Sequence, residues 1–456
     1  MSSIRPDSQG YLKLLEISKV RAKISSEFKD YGPETERIRL DQALGRVLAE
    51  DIVAEEDLPP TTISAMDGYA VRHSAIVSAS PSNPSEFKVR GALYPKDIAR
   101  PAGLLPSIEG DSDAYYVATG APIPRGCDVV ARIEETRIDQ AGKKVLVSRE
   151  IPRWKNISLK GEDIRAGDHL FRERRVLNSS DAATLIGLGK REVRVYARPR
   201  VGILSIGSEL VEFDPSAELS ANGRTINNYA NLIAGYLAEY GADPIPLGVV
   251  EDEQDRITTR IGSSLETMDM VITIAGSSVG AKDYVPNSIL ALENSRLLFH
   301  GVRAVPIRPA GLGIVIGKKK RSSSRSNKEE TTTKKKAIAI IPGHAVSAAL
   351  TFFVIVLPVL NLLSGLEMES RQVVIGAVTE TEFQNDRGID ALCLVQVKSR
   401  GPEREYFATQ LEWGSNLLSN LSKAHGFVWL APHERIARSE RVRVQLLGSS
   451  ELARIQ

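Results

Sequence analysis

Apolar positions follow two different rhythms in the first half of the chain. Residues 11–29 place them near the three- and four-residue spacing of a helix, and residues 40–48 predict a second, shorter helix. Between residues 55 and 150 the apolar runs are short and are broken by Pro, Gly, Asp and Ser, which predicts a β-rich module. Residues 151–198 return to a mixed pattern that contains the helical run SSDAATLIGLG.

From Arg200 onwards, apolar strands alternate with helices. The strands VGILSIG, PIPLGVV and MVITIAG are separated by helical segments, which predicts βαβ units and a mostly parallel sheet. RLLFHGV, GLGIVIG and AIAIIPG add further strands. Residues 345–363 are almost wholly apolar but contain Ser, Pro and Asn, so we interpret them as a buried helix rather than a membrane span. Residues 371–456 contain short strands again, which predicts a small C-terminal β domain.

Composition and charge narrow the class of protein. The 456 residues correspond to about three domains, and 59 Lys/Arg against 57 Asp/Glu leave a net charge of only +2. The run 318–336 holds nine Lys/Arg, two Glu and no apolar residue, so we interpret it as a disordered, solvated loop. A nucleic-acid-binding tail is disfavoured because aromatic residues for base stacking are missing from this run.

The two cysteines, Cys127 and Cys393, form no CxxC motif and suit a reducing compartment. The N-terminal residues do not resemble a signal peptide, so we expect a cytoplasmic protein.

Three glycine-containing turns directly follow predicted strands, at residues 205–209, 275–283 and 342–344. Ligands of open parallel sheets bind at the carboxyl ends of the strands, and glycines there let backbone N–H groups approach an anion. The turns therefore favour a phosphorylated or oxyanion ligand; tight turns that need positive φ are the alternative. Neither GxGxxG nor a Walker A sequence is present.

Carboxylates recur at the same predicted edge, at Glu209, Asp252 and Asp283. Because carboxylates repel a phosphate unless a cation lies between them, this pattern favours Mg²⁺, which uses one or two carboxylates plus substrate phosphates. Asp252 and Asp283 also begin predicted helices, so helix capping is the alternative role for each.

Seven segments occur in an order typical of one family: DIVAEEDLPPTTISAMDGYAVR, VATGAPIPRGCDVVARIEE, LKGEDIRAGD, VGILSIGSEL, TINNYANLIAGYLAEYGADPIPLGVVEDE, DMVITIAGSSVGAKDYV and IPGHAVSAALTFFVIVLPVL. Together they resemble the MoeA/gephyrin E-domain family of molybdopterin molybdenumtransferases, and SAMDGYAV is the most specific of the motifs. The similarity covers essentially the whole chain, including GSNLLSNLSKAHGFVWLAP near its end.

The resemblance implies a multidomain α/β plus β protein that forms a homodimer. Residues 1–54 and 151–198 would form a discontinuous, elongated, helical and dimerising domain I, and residues 55–150 an inserted β-rich domain II. Residues 199–368 would form the α/β molybdopterin-binding domain III, with a mostly parallel sheet, and residues 369–456 a β-barrel domain IV. The implied reaction takes molybdate and adenylylated molybdopterin, with Mg²⁺ or another divalent cation, and releases AMP.

The resemblance also assigns site residues. The catalytic group would be Asp67, Thr119, Glu209, Asp252 and Asp283. The metal ligands would be the same four carboxylates together with Asp163. The cofactor-binding group would be Gly207, Ser208, Gly276, Ser277, Ser278, Gly280, Arg308, Pro342, Gly343, Ser347 and Ser415.

The chain departs from the family pattern mainly where an oxyanion would bind. The family's KPGKP reads Arg308 to Leu312, and its domain IV arginine falls near Leu394. Ala275 replaces the first glycine of GGVSVG, PGNPVS reads PGHAVS, and TGDEL has lost one acid in IGSEL. We therefore expect weak molybdate dependence. The alternative is a diverged, non-catalytic paralogue that binds the pterin or acts as a scaffold or anchor, with other cofactor-synthesis proteins as partners.

Overall fold

A computed structural model describes residues 13–213, 224–276, 284–321, 330–401, 405–448 and 450–455. The described residues form two compact units. The first unit consists of those in Met1–Ile38, Ala43–Ala49 and Arg194–Gln456, and the second of Arg39–Gln42 and Glu50–Val193. The chain therefore leaves the first unit and returns to it, and residues 151–193 lie in the same unit as residues 55–150. The four domain boundaries stay a prediction.

The second unit is built around one mixed six-stranded sheet, in the strand order β4-β1-β3-β2-β6-β5. Its one α-helix, α2, begins at a capping box in which Asn178 and Asp181 satisfy each other's backbone N–H groups. The sheet carries apolar side chains on both faces, in clusters around Phe87 and Ile108. The elements are β1 (Gly68–Val71), β2 (Ser85–Leu93), β3 (Asp113–Val117), β4 (Val129–Arg132), β5 (Thr136–Ile138), β6 (Lys144–Val147) and α2 (Ser179–Gly187).

The first unit begins with helix α1 (Ile17–Phe28), whose buried face is Ile17, Val20, Ile24 and Phe28. The region 40–48, expected to be helical, contains only a 3₁₀ turn at Leu40–Gln42. Asp41 in that turn instead pairs with Arg39, two residues away.

The α/β region of the first unit has the alternation that the sequence predicts. Its six-stranded sheet has the order β8-β7-β9-β12-β11-β10, with parallel pairing from β8 to β12 and antiparallel pairing of the last two strands. The elements are β7 (Arg200–Ile206), α3 (Tyr229–Glu239), β8 (Asp243–Val250), α4 (Gln254–Ser264), β9 (Met270–Ile274), α5 (Tyr284–Ala291), β10 (Ser295–His300), β11 (Gly311–Arg321) and β12 (Glu330–Ile341).

The apolar segment 345–363 is a core helix, as expected. It comprises α6 (Ala345–Thr351), a π-helical turn (Phe352–Val356) and α7 (Leu357–Leu363). The segment is long and apolar enough to cross a bilayer, but 94% of its most apolar 18-residue stretch is buried inside the protein. It packs in the same cluster as α1 and the strands of the sheet, which is the position of a core helix rather than a membrane span.

The described part of the basic run corrects the expectation of a disordered loop. β11 and β12 pair continuously from Gly311 with Ile340 to Arg321 with Glu330, so residues 318–321 and 330–336 belong to a β-hairpin. Alternating strand positions let a polar segment pair through its backbone without burying apolar side chains. At its base, Lys334 and Lys335 contact acidic residues elsewhere in the unit.

The C-terminal region forms a closed five-stranded barrel in the order β14-β15-β13-β17-β16, closed by pairing of β16 with β14. Closure leaves no free sheet edge within these five strands. The elements are β13 (Val374–Thr379), β14 (Asp390–Arg400), β15 (Glu405–Gln410), α8 (Leu418–Lys423), β16 (Gly426–Leu430), β17 (Arg441–Leu446) and the short α9 (Glu451–Arg454). The remaining strands are Thr35–Arg39, Ile52–Val53, Ile63–Ser64, Ile157–Ser158, His169–Phe171, Glu192–Tyr196, Leu210–Val211, Thr225–Ile226, Ala304–Val305, Phe383–Gln384 and Arg435–Ile436.

Candidate functional site

The turn after β7 and the segment after β8 meet at the carboxyl edge of the parallel sheet. The backbone N–H of Gly207 donates to the carbonyl of Val250 at 3.0 Å. The N–H of Ser208 donates to a carboxylate oxygen of Asp252 at 3.1 Å, and the Ser208 hydroxyl lies 3.5 Å from the same oxygen. Asp252 is therefore fixed by the neighbouring strand end. The capping alternative for Asp252 is wrong, because Glu253 holds the N-cap position of α4.

Glu209 completes this group of polar residues. Its side chain is exposed, and one carboxylate oxygen lies 2.7 Å from the position that a Cβ on Gly207 would occupy. This oxygen is the mobile end of an exposed side chain, so the carboxylate can move aside for a Cβ. Glu209 and Asp252 thus place two carboxylates just beyond adjacent strand ends, and Ser208, which precedes Glu209, donates to Asp252.

The turns after β9 and β12 pack directly against each other. Ala275 has a φ of 71°, in the left-handed region that glycine adopts most easily. Its N–H donates to the carbonyl of Ile341 at 2.9 Å. A Cβ built on Gly343 would lie 2.7 Å from the Ala275 Cβ, so only glycine fits there. Gly276 follows with a φ of 69°.

A cavity of about 500 Å³ opens beside the turn after β12. One wall comes from the α/β region, through Pro342, His344 and Ser347, and another from the barrel region. The backbone carbonyl of Ser415 accepts a hydrogen bond from Val346 at 3.0 Å, which joins the two walls. The size and the mixture of apolar walls with a few polar groups are typical of a small-molecule site.

The sequence did not identify Arg387 as a residue of this cavity. Its guanidinium lies 4.6 Å from the ring centroid of Trp413, and both residues line the cavity. Stacking on an aromatic face holds a guanidinium in place while leaving its N–H donors free to bind an anion. The only sequence signal was an arginine in the turn before a strand.

Leu394 and Cys393 lie on the same wall of the cavity. The position near which the family has an arginine is therefore apolar. Burial raises the pKa of the Cys393 thiol to about 12, so the thiol stays protonated at neutral pH. Arg387, on the segment before β14, is the cation that the barrel region contributes to the lining.

Asp67 and Thr119 lie together in the second unit, as the sequence implied. The Thr119 N–H donates to Asp67 Oδ1 at 2.6 Å, and the Thr119 hydroxyl donates to the same oxygen at 2.9 Å. These two hydrogen bonds stabilise the carboxylate and lower the pKa of Asp67. Both residues are exposed, so the charged group faces solvent.

Several predicted site residues either lie away from the cavity beside Pro342 or fall outside the residues that the structure describes. Asp163 lies in an exposed turn where its N–H donates to the carbonyl of Leu58. Arg308 is exposed and does not line the 500 Å³ cavity, although Pro309 does. Among the described residues, no three His, Cys, Asp or Glu side chains form a metal-binding group. The described ranges exclude Ser277, Ser278, Gly280 and Asp283.

Comparison with known proteins places these features in one family. Residues 15–189 match a family model described as the MoeA N-terminal region (domain I and II), and residues 202–362 match one described as a probable molybdopterin binding domain. A molybdopterin molybdenumtransferase of Staphylococcus epidermidis is 32% identical over 274 residues, covering 59% of this chain and 61% of the relative. The Bacillus subtilis protein of the same name is 32% identical over 280 residues, covering 60% and 62%. The similarity thus spans about three fifths of the length of these relatives.

Solved structures extend the similarity over nearly the whole chain. The crystal structure of a molybdopterin biosynthesis MoeA protein from Pyrococcus horikoshii OT3 is 27% identical, has a TM-score of 0.73, and covers 95% of this chain and 100% of that chain. A second Pyrococcus MoeA structure, 24% identical with a TM-score of 0.76, covers 96% and 100% and shows the same fold. The chain belongs to the MoeA family.

Proposed function

We propose that this protein inserts molybdate into adenylylated molybdopterin and releases AMP. The proposal is supported by the family and by the activity for which the relatives are named. The observation that carries it is the cavity beside Pro342. A guanidinium, an imidazole, two serines and one carboxylate, Glu412, surround a largely apolar interior there, on the edge of the sheet where α/β proteins bind ligands.

The cavity supplies donors for an oxyanion. Arg387 is exposed and, among the described residues, makes no ion pair with a carboxylate. His344 is exposed at the first turn of α6. Charge-assisted hydrogen bonds are the strongest that a protein offers to an oxyanion. We place the molybdate oxygens beside Arg387, which supplies a cation on the wall where Leu394 supplies none.

The carboxylates at the ends of β7 and β8 fit a divalent cation. Mg²⁺ normally takes one or two carboxylates and fills its remaining positions with water and substrate phosphates. Glu209 and Asp252 provide two such carboxylates, so a cage of three protein ligands is not required. When bound there, the cation would neutralise phosphate charge as the phosphoanhydride breaks. Asp283, Asp67 and Asp163 stay predicted ligands.

The residues of this chain then have separate tasks. The N–H groups of Gly207, Ser208 and Ala275 are already paired within the protein. Phosphate oxygens would therefore bind the other backbone N–H groups of the strand-end turns. Ser208 fixes the Asp252 carboxylate, so that this charge is preorganised rather than recruited during the reaction. A water oxygen attacks the adenylyl phosphorus, the phosphoanhydride bond breaks, and molybdopterin phosphate is the leaving group. The attacking oxygen departs in AMP, and its proton is lost to solvent. The cavity beside Pro342 retains the pterin and its metal.

A comparison of two aspartates tests the proposal. Adenylylated molybdopterin, Mg²⁺ and molybdate would be incubated with the protein, and AMP and active cofactor would be measured. Asp252→Asn should reduce AMP release by at least a hundredfold. Asp255→Asn, an exposed position on the first turn of α4, should leave it unchanged. Pterin-nucleotide binding without AMP release in the wild type would instead support the non-catalytic alternative.

The assembly and location are also proposed. We infer a homodimer in the cytoplasm, with the four domains bounded as the family implies and with Asp67 and Thr119 acting across the dimer. Sedimentation at micromolar concentration should give a species near twice the chain mass of 49.7 kDa. A monomer would remove the site shared between subunits.

A further inference from the structure

We propose that the protein has a second ligand site, at the amino edge of the α/β sheet, for a small organic anion with an apolar body. A cavity of about 660 Å³ lies there, larger than the cavity beside Pro342. Its lining includes Arg200 at the first position of β7 and Asp269 directly before β9. The strand-end turns of the candidate active site follow the opposite ends of these strands.

The basic hairpin forms one side of this cavity. Gly317 of β11 and two lysines of β12, Lys334 and Lys336, line it. Lys334 Nζ lies 2.5 Å from an Asp269 oxygen and 3.3 Å from a Glu34 oxygen. These contacts fix the hairpin base against the rest of the unit. The segment that the sequence singled out for its charge thus has a structural role in building a pocket, which the proposed transferase reaction does not use.

Two arginines of the cavity lining, Arg198 and Arg200, have no carboxylate partner among the described residues, and neither has Arg371 of the adjoining recess. The Arg200 guanidinium donates to the carbonyl of Thr267 at 3.1 Å. Arg371 donates to the carbonyl of Tyr240. Arg198 is exposed and lines both the large cavity and a small adjoining recess that Arg371 also lines.

Arg198 and Arg371 are close enough to repel each other. Burial and the nearby Arg198 charge lower the pKa of Arg371 to about 10. Arg198 and Arg200 are both exposed and both line the cavity, on either side of the buried Pro199. An anionic group bound between them would relieve the repulsion and receive charge-assisted hydrogen bonds.

The remaining charges limit the ligand to one anionic group. The cavity lining holds four cationic and four acidic side chains, so a polyanion gains no net attraction. Asp269 is neutralised by Lys334 and also accepts the Arg200 N–H at 2.9 Å. The side chains of Glu266 and Glu293 are exposed, where water screens them.

The interior of the cavity fits an apolar body. Its lining includes Leu265, Val315 and Leu363, together with the ring of Tyr31. Burial and the nearby charges of Asp269 and Glu34 raise the pKa of Tyr31, so its hydroxyl remains a neutral hydrogen-bonding group. Pockets of 300–1,000 Å³ with apolar walls and a few polar groups are typical of small-molecule sites. The ligand class is therefore a carboxylate or phosphate monoester on an aromatic or aliphatic body.

The test uses the fluorescent aromatic sulfonate 1-anilinonaphthalene-8-sulfonate as probe for the full chain. We expect saturable binding that Arg198→Gln and Arg200→Gln each weaken by about tenfold or more, the loss of one charge-assisted bond. Arg198→Lys keeps the charge and should retain most of the binding. Gly317→Leu should also weaken binding, because a Cβ there meets no atom closer than 3.7 Å and a larger side chain would fill the cavity.

Arg387→Gln is the matched control, since it removes a guanidinium from the other cavity. Binding unchanged by this variant and lost in Arg198→Gln and Gly317→Leu supports the proposal. Binding lost only with Arg387→Gln, or unaffected by both Arg198→Gln and Gly317→Leu, would overturn it. Melting temperatures within a few degrees of wild type establish that the variants fold. Competition by benzoate and by phenyl phosphate then distinguishes a carboxylate from a phosphate ligand.

Discussion

Gly343 and Ala275 provide a sharp test of how the strand-end turns pack. A methyl group added at Gly343 would lie 2.7 Å from the Ala275 Cβ, a distance that real carbon atoms avoid. The next atoms along are the Ala275 Cα at 3.4 Å and N at 3.9 Å, which are ordinary contacts. The clash therefore comes from one atom, and replacing Ala275 by glycine removes that atom.

The expected free energies follow from this geometry. Gly343→Ala alone should destabilise the protein by about 2 kcal/mol, within the usual 1–3 kcal/mol range for overpacking. Ala275→Gly should change stability by less than about 1 kcal/mol. It relieves a left-handed conformation that costs about 1–2 kcal/mol, but the freer unfolded chain offsets about 0.5–1 kcal/mol of this. The double variant should recover most of the loss, giving a coupling energy of about 1–2 kcal/mol.

Urea unfolding followed by circular dichroism measures the four free energies of this cycle. Gly376→Ala is the control, because a Cβ at that strand position in the barrel meets no atom within 4 Å. It should be nearly neutral and should not couple to Ala275→Gly. Additivity of Ala275→Gly and Gly343→Ala within about 0.5 kcal/mol, the normal behaviour of independent sites, would refute the proposed packing.

Three further outcomes are expected. Burial lowers the pKa of His300 to about 4, so the unfolded chain binds the proton at a higher pH than the folded chain does. The free energy of unfolding should therefore fall by about 3 kcal/mol as the pH drops from about 6.5 to 4. His300→Gln should flatten that part of a plot of unfolding free energy against pH, and an unchanged slope would contradict the assignment. Deletion of residues 322–329, which contain no apolar residue, should leave the melting temperature within about 2 °C of wild type. Deletion of residues 319–335 also removes lysines that are paired with carboxylates, so it should clearly lower the melting temperature. Equal melting temperatures of the two variants would mean that these ion pairs contribute nothing to stability. Asp67→Asn should abolish AMP release. Thr119→Val should raise the pKa of Asp67, measured by an NMR titration, because it reduces the two hydrogen-bond donors to the carboxylate to one. An unchanged pKa would refute the role of the Thr119 hydroxyl.

The α/β region was readily predicted because local pattern and fold agree there. Apolar runs such as residues 270–274 are buried on both faces of the sheet, so they read as continuous apolar segments. The segment 345–363 was correctly interpreted as a core helix for the same reason: its polar residues and proline are compatible with burial but not typical of a span. The family motifs named Asp67, Thr119, Ser208 and Asp252 as residues of one site, and that assignment stays a prediction. The hydrogen bonds from Thr119 to Asp67 and from Ser208 to Asp252 come from the structure.

Other features depended on partners far away in sequence. The basic run was expected to be disordered because it buries nothing, yet its ends pair through backbone hydrogen bonds that carry no side-chain signal. The expected helix at residues 40–48 is a short turn, since its helical spacing competes with strand pairing of flanking segments. Arg387 was missed because only the barrel brings it onto Trp413.

The sequence by itself determined the periodicities, the order of units and the motifs, since these depend on residues within a few positions of each other. The tertiary structure alone decided which strand ends meet and which charges lack partners. Asp252 became a residue fixed by Ser208 rather than a helix cap because two strands lie side by side. The pocket lined by Arg198 and Arg200, which have no carboxylate partner among the described residues, exists because residues 31, 198, 269, 317 and 334 converge at one edge of the sheet. No local pattern encodes this convergence.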